Sequence, residues 1–142
     1  MNVRFEDKGT FYVSGYSVET NEESLEKDCK MLRWKYEYKL RTISDHLYFL
    51  SWETKEGALI YLLGVEATSQ TPATEGAICK EVPSTRFAVA KVPSGEQILS
   101  TWHEFFEKGI PSVGATIDIN YSFYFESFDE NGICELWIPI EK

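Results

Sequence analysis

The chain has 142 residues, of which 43% are hydrophobic and 15% aromatic, and it carries a formal net charge of −9. This length corresponds most simply to one domain, residues 1–142, with enough apolar material for a substantial core. The excess of acidic residues argues against non-specific nucleic-acid binding, which depends on a basic surface. An acidic surface keeps a domain soluble, and it also attracts cationic small molecules or basic partner proteins.

The cysteines and histidines do not form a metal-binding pattern, and no cofactor is expected. Cys29, Cys79 and Cys134 lie far apart without a C-x-x-C pair, which argues against a disulfide framework and against a thiolate zinc site. His103 begins a segment similar to a zinc-protease motif, but Glu107 stands where the second metal-binding histidine is needed. No nucleotide-binding glycine motif occurs.

The N-terminal sequence MNVRFEDKGTF lacks the apolar segment of an export signal. No apolar run approaches the roughly 18 residues needed to cross a bilayer. We therefore expect a cytoplasmic protein in a reducing compartment, without membrane association.

The first half of the chain has the pattern of one strand, one helix and two further strands. Residues 11–18 (FYVSGYSV) indicate a strand, and the sequence Thr20-Asn-Glu-Glu predicts a capping box for a helix at 21–38. Apolar residues recur at helical spacing behind this box. Residues 46–52 and 58–67 then predict a β-hairpin.

The second half shows the same order of elements. Residues 86–92 (RFAVAKV) predict a strand, and Ser94-Gly-Glu-Gln predicts a second capping box. Apolar residues at helical spacing over 98–106 predict the second helix. Residues 116–128 and 133–140 predict the last two strands.

This order predicts an α+β fold with an internal strand–helix–strand–strand repeat. Repeat one is predicted at about 8–68 and repeat two at about 76–142, with the polar segment 70–76 (QTPATEG) between them. Each half is too small to fold comfortably alone, so the two repeats are expected to share one domain.

Residues 116–128 (TIDINYSFYFESF) alternate more strictly than any other segment, and we predict a single long strand there. Its apolar face would be formed by Ile117, Ile119, Tyr121, Phe123 and Phe125. Its polar face would be formed by Asp118, Asn120, Ser122, Tyr124 and Glu126. Such a strand can cover a core with one face and line a polar surface with the other.

Three segments resemble those of one known family. They are YLLGVEA (61–67), EVPSTRFAVAKVPSGEQILSTWHEFF (81–106) and ELWIPIEK (135–142). Their order and spacing resemble gyrase-inhibitor-like (GyrI-like) effector-binding domains, which also serve as ligand-sensing parts of bacterial transcription activators and as integron-cassette proteins. The resemblance implies two pseudo-symmetric repeats in a largely antiparallel curved sheet, helices on one side, and a cleft between the repeats for amphipathic, often cationic ligands.

The resemblance also implies a glutamate on the penultimate strand, directly after an aromatic residue and facing the cleft. We match this pair to Tyr121-Ser122, so that the carboxylate is replaced by a serine. The cleft floor would then be the polar face of the predicted strand, with Ser122 and Tyr124 pointing in. Asp118 or Glu126 would supply charge from a neighbouring position, and Asn120 would add a further polar group.

Aromatic residues are the expected cleft walls. Tyr61 matches a cleft tyrosine of the family, and Tyr48 shares a strand face with Leu50 and Trp52. Both tyrosines have an alternative as core residues. Trp34 and Trp102 are expected to pack their helices on the sheet, although Trp34 is also a candidate to close the cleft.

Three functional hypotheses follow from the resemblance. The first is a stand-alone small-molecule-binding module with no DNA-reading segment ahead of residue 11, so that any regulation would act through sequestration or through a partner protein such as a transcription regulator. The second is a hydrolase that detoxifies an electrophile with Glu126 or Asp118. The third is an acidic module that binds a basic enzyme such as gyrase. Ser122 in place of the carboxylate favours binding over catalysis, and no catalytic residue is assigned.

Overall fold

The sequence folds into an eight-stranded antiparallel sheet with its helices packed on one face. The structure is a computed structural model that describes residues 1–68, 76–94 and 97–141. Almost all of the predicted connection at 70–76, and two of the four residues of the second predicted capping box, lie outside the described residues. Within the described ranges, no helix is both long and apolar enough to span a membrane.

The strands are β1 (Val3–Lys8), β2 (Phe11–Thr20), β3 (Leu47–Glu53), β4 (Leu59–Ala67), β5 (Ile78–Val82), β6 (Thr85–Lys91), β7 (Tyr124–Phe128) and β8 (Cys134–Ile140). The helices are α1 (Leu25–Arg41), α2 (Ile98–Glu104) and the short α3 (Ile110–Ser112). A π-helical turn, Phe105–Gly109, joins α2 to α3.

The strand order β1-β6-β8-β7-β3-β4-β2-β5 confirms the predicted repeat. Each half of the sheet contains the three strands of one strand–helix–strand–strand unit, and the two halves meet where β3 pairs with β7. Each edge strand pairs with the unit in the other half of the chain: β1 pairs with β6 of the second unit, and β5 pairs with β2 of the first. The centre of the sheet is therefore the boundary between the two units.

The sheet has a core on each face. The helix-side core includes Leu32 and Leu40 of α1 together with Phe105 after α2. The opposite face carries an aromatic core, formed mainly by Phe11, Phe87, Phe123, Phe125 and Trp137, that contains no helical residue. Phe11 of β2 lies 5.7 Å, centroid to centroid, from Phe125 of β7, although β3 and β4 lie between these strands, so the sheet curves around this second core.

A glycine pair allows β2 and β4 to approach each other closely. Gly15 and Gly64 are directly opposite in the antiparallel register. A Cβ atom on Gly15 would lie 2.0 Å from the Leu63 carbonyl oxygen, and one on Gly64 would lie 2.5 Å from the Ser14 carbonyl oxygen. Glycine in a strand interior commonly marks such a bend or close backbone approach.

The predicted capping box before α1 is wrong. Pairing with β4 continues to Thr20, which makes this residue the end of β2, and α1 begins only at Leu25. The Thr20 hydroxyl donates to the Asp28 carboxylate at 2.6 Å, and the Asn21 side chain accepts the Ser24 N–H at 2.9 Å. A local side-chain turn thus separates the strand from the helix.

The long strand predicted at 116–128 is also wrong in its extent. Only Tyr124–Phe128 is a strand, and Ile117 forms an isolated bridge with Ile140. Between them the Asp118 carboxylate accepts the Asn120 N–H at 3.0 Å, and the Asp118 carbonyl accepts the Tyr121 N–H. This aspartate-centred turn replaces the strand pairing, and it leaves the side chain of Ile119 86% exposed.

Candidate functional site

A cavity of about 270 Å³ lies on the helix side of the sheet, over the boundary between the two units. Its aromatic walls are Phe49, Tyr61, Trp102, Phe106 and Tyr124, and the remaining lining residues are Ser51, Leu99, His103, Glu126 and Phe125, whose ring belongs to the core on the opposite face. Strands β3, β4 and β7 form its floor, and α2 with the following π-helical turn forms one side. We refer to this cavity as the central cleft.

The sheet register brings the floor residues together. Ser51 of β3 lies directly opposite Tyr61 of β4 and Tyr124 of β7, and Phe49 lies opposite Glu126. Side chains directly opposite in antiparallel strands share one face at close distance. The two tyrosines therefore flank Ser51, whose hydroxyl donates to the Tyr124 carbonyl at 3.2 Å.

Glu126 is the buried acid of the central cleft. Part of the residue remains accessible, but its carboxyl group is enclosed, and the Trp102 indole N–H donates to it at 2.7 Å. Burial raises the pKa of the Glu126 carboxyl to about 7, because desolvation outweighs the opposing effects of Trp102 and the Arg33 guanidinium. Among the described residues, no basic group forms an ion pair with Glu126.

Two further groups near Glu126 are neutral at pH 7, and their surroundings raise their pKa values further. Burial raises the pKa of the Tyr61 phenol to about 12, and the negative charge of Glu126 acts in the same direction. Burial likewise raises the pKa of the Cys29 thiol of α1 to about 12. These groups add no negative charge at neutral pH, and a neutral phenol keeps its capacity to donate a hydrogen bond.

The structure brings three of the predicted site residues together. Tyr61, Tyr124 and Glu126 all line the central cleft. Their placement follows from strand alternation, since each projects from the helix-side face of its strand.

The other predicted residues lie elsewhere. Asn120 and Ser122 are exposed in the segment before β7, and Asp118 belongs to the turn there, so none of the three forms the cleft floor. Tyr48 projects from the opposite face of β3, where its ring packs 5.5 Å from that of Phe11. Trp34 is 87% exposed on the outer side of α1 and does not line the cleft.

The two residues matched to the family's aromatic–glutamate pair lie outside the strand. Tyr121 and Ser122 precede β7, whereas Phe125 and Glu126 lie within it, with the acid directly after an aromatic residue and facing the cleft. That Ser122 stands in place of the family glutamate stays a prediction, and Glu126 is the carboxylate that β7 presents to the cleft.

Sequence reasoning missed the contribution of α2 to the cleft. Trp102 and Phe106 are one helical turn apart, and their rings stack at 5.8 Å and face the cavity, while Phe105 is fully buried beneath them. The signal was the unusual run of three aromatic residues within five positions of one short helix. Packing on the sheet accounts for an aromatic residue at Phe105, but it does not account for those at Trp102 and Phe106.

The described residues contain no group of three or more His, Cys, Asp or Glu side chains placed to hold a metal ion. The chemistry of the central cleft thus comes from one buried carboxyl group, neutral hydroxyl groups, His103 and aromatic surfaces.

No curated protein sequence matches this chain. Among solved structures, SAV2435 bound to tetraphenylphosphonium is similar with a TM-score of 0.75 and 14% identity, over 99% of this chain and 94% of that chain. Integron cassette protein VCH_CASS2 of Vibrio cholerae gives a TM-score of 0.70 and 16% identity, over 98% and 95%.

EcmrR in its complex with DNA has a TM-score of 0.62 and 11% identity, and the similarity covers 99% of this chain but 57% of the EcmrR chain. At such identities these similarities show the fold. The sequence profile described as GyrI-like small molecule binding domain matches residues 1–141, which is nearly the whole chain. The chain therefore belongs to the GyrI-like small-molecule-binding family.

Proposed function

We propose that the central cleft binds an aromatic or amphipathic cation and uses Glu126 as its counter-charge. The observation that carries this proposal is a carboxyl group enclosed by aromatic side chains without an ion-pair partner among the described residues. A buried carboxylate without a compensating cation is costly. A positively charged ligand would remove that cost, whereas a neutral ligand would leave it in place.

The cleft walls suit such a ligand. Tyr61, Tyr124, Trp102 and Phe106 present ring faces or edges to one cavity. Stacking and cation–π contacts with aromatic side chains contribute on the order of 1 kcal/mol each. The volume of about 270 Å³ is close to the lower limit of small-molecule pockets, about 300 Å³. It favours a compact ligand, or one ring system of a larger one.

The test compares a cation with a neutral compound of similar shape. Tetraphenylphosphonium and triphenylphosphine oxide would be titrated into the protein at pH 8, with binding measured by calorimetry. We expect the cation to bind more tightly, and Glu126→Gln to weaken its binding at least tenfold without changing that of the neutral compound. Glu130→Gln, which removes an exposed acid from the β7–β8 turn, is the matched control. Equal binding of both compounds, or unchanged cation binding in Glu126→Gln, would refute the proposal.

Hydrolysis in the same cleft is the second candidate. It is favoured by the near-neutral pKa of Glu126, since a carboxylate with a raised pKa is a better general base at pH 7. The Tyr61 phenol on the same floor would stabilise a developing negative charge by donating a hydrogen bond. Turnover of epoxides or activated esters that is lost in Glu126→Gln and reduced in Tyr61→Phe would support this role. Equal turnover in wild type and Glu126→Gln would exclude it.

A further inference from the structure

The outer face of α1 exposes large apolar side chains that the fold does not use. Trp34 and Tyr38 are each 87% exposed and Met31 is 50% exposed. Positions 31, 34 and 38 are three and then four residues apart, so the three side chains form one stripe along about two helical turns. We call Met31, Trp34 and Tyr38 the α1 stripe.

The packing of α1 is completed by its other face. Leu32 and Leu40 are buried in the helix-side core. Tyr36 stacks on Tyr16 of β2 at 3.9 Å, and the Arg33 guanidinium lies 4.9 Å from the ring centre of Phe128. The α1 stripe points away from all of these contacts. Its aromatic side chains therefore do not anchor the helix, and their exposure leaves apolar area in water.

The charge around the α1 stripe differs in sign from that of the rest of the protein. Helix α1 has six Lys or Arg residues against three acids, a net charge of +3, while the remaining residues have eight bases against twenty acids, a net charge of −12. Exposed Lys27 and Lys30 adjoin the stripe, whereas the ammonium groups of Lys35 and Lys39 lie over the rings of Tyr36 and Tyr16 on the packed side. The surface is thus an aromatic ridge with a basic margin on an otherwise acidic molecule.

We propose that the α1 stripe is a docking surface for an acidic amphipathic helix of another protein. Trp and Tyr are the side chains that most often dominate binding energy at protein interfaces. An amphipathic helix would cover the stripe with its apolar face and place Asp or Glu side chains beside the flanking lysines. This surface is separate from the central cleft, and the proposal does not depend on what the cleft binds.

Charge selects this occupant over the alternatives. A second copy that docked its own α1 stripe would bring lysines against lysines. An anionic membrane or a nucleic acid presents negative charge over a large area, so the net −12 of the remaining molecule would oppose its approach. A single acidic helix meets only the basic margin, because charges farther than about 10 Å are largely screened.

The test uses a synthetic fluorescent 18-residue helix with leucines on one face and glutamates beside them. Binding to the full chain would be followed by anisotropy at low and high salt. We expect saturable binding that weakens with salt, and a loss of about tenfold or more in Trp34→Ala. Ile119→Ala, at an equally exposed apolar residue outside α1, should bind as wild type does. Alanine favours helix, so circular dichroism should show Trp34→Ala folded.

Charge is tested by a second pair of variants. Lys27→Glu should weaken binding several-fold at low salt, whereas Lys55→Glu, in the exposed β3–β4 turn, should not. A peptide of the same composition without an apolar face should not bind. Absence of saturable binding, equal affinity in Trp34→Ala and wild type, or equal affinity for a lysine version of the peptide would each overturn the proposal. Trp34-dependent self-association, or tighter binding to anionic vesicles or to an oligothymidylate, would assign the stripe to another occupant.

Discussion

At the residue scale, Glu126 is the group on which the account of the cleft depends. Its carboxyl group is buried, receives one hydrogen bond from Trp102, and has a pKa of about 7. A raised pKa means that the folded protein binds the proton more tightly than the unfolded chain does. The residue that we propose as the counter-charge of a cation therefore weakens the empty fold at neutral pH.

This cost predicts a pH-dependent effect of Glu126→Gln on stability. Between the ordinary pKa of 4.5 and the folded value of about 7, the folded state holds more protons, so the stability contribution of this group falls as pH rises. From pH 5 to pH 8 the wild type should lose up to about 2–3 kcal/mol relative to the variant. Denaturant unfolding of both proteins across this range measures the difference. Parallel pH profiles would show that Glu126 is not destabilised by burial.

Trp102→Phe should strengthen the pH dependence of stability that Glu126→Gln removes. The indole N–H stabilises the ionised carboxylate at 2.7 Å, and phenylalanine cannot donate this bond. The pKa of Glu126 should rise further, and the variant should lose about 1–3 kcal/mol more stability at pH 8 than at pH 5. The carboxyl carbon of Glu126, titrated by NMR, reports the pKa directly. An equal loss at both pH values would indicate packing alone.

At the scale of elements, the contact between β2 and β4 depends on two glycines. Gly15→Ala would place its Cβ atom 2.0 Å from the Leu63 carbonyl oxygen, which belongs to a paired strand and has little room to move. We expect a loss of about 3 kcal/mol in the free energy of unfolding. Gly9→Ala is the matched control, because no atom lies within 4 Å of its Cβ position. Similar stability of the two variants would contradict this account.

The elements also show what the sequence predicts and where it fails. Helical spacing predicted α1 and α2, and apolar runs predicted β3, β4, β6 and β8, because these segments bury a regular face. Strand β1 was not predicted, since charges occupy both of its faces and only Val3 and Phe5 are apolar. The turn at Asp118 was missed because a side-chain hydrogen bond overrode an unbroken alternation.

The candidate site was less predictable from the sequence than the fold was. Tyr124 and Glu126 were proposed from strand alternation and Tyr61 from the family resemblance, and all three line the cleft. The wall contributed by α2 depends on how the helix is rotated over the sheet, which periodicity alone does not determine. Trp34 and Trp102 look equivalent in sequence, yet Trp34 is exposed and Trp102 donates a hydrogen bond to the buried Glu126 carboxyl group.

At the scale of the whole molecule, the symmetric sheet explains why the cleft lies where it does. Strands β3 and β7 meet at the boundary between the two units, and the helices leave the cavity open above them. The acidic surface, with a net charge of −9, would draw cations towards the molecule, and the buried acid would hold them. Long-range charge and the central cleft thus favour the same class of ligand.

The most direct test of this account is the affinity for tetraphenylphosphonium as a function of pH. Protonation of Glu126 competes with the cation, so affinity should rise about tenfold from pH 6 to pH 8 and level off above the pKa of about 7. Glu126→Gln should bind weakly at every pH. A wild-type affinity that stays constant between pH 6 and pH 8 would contradict the account.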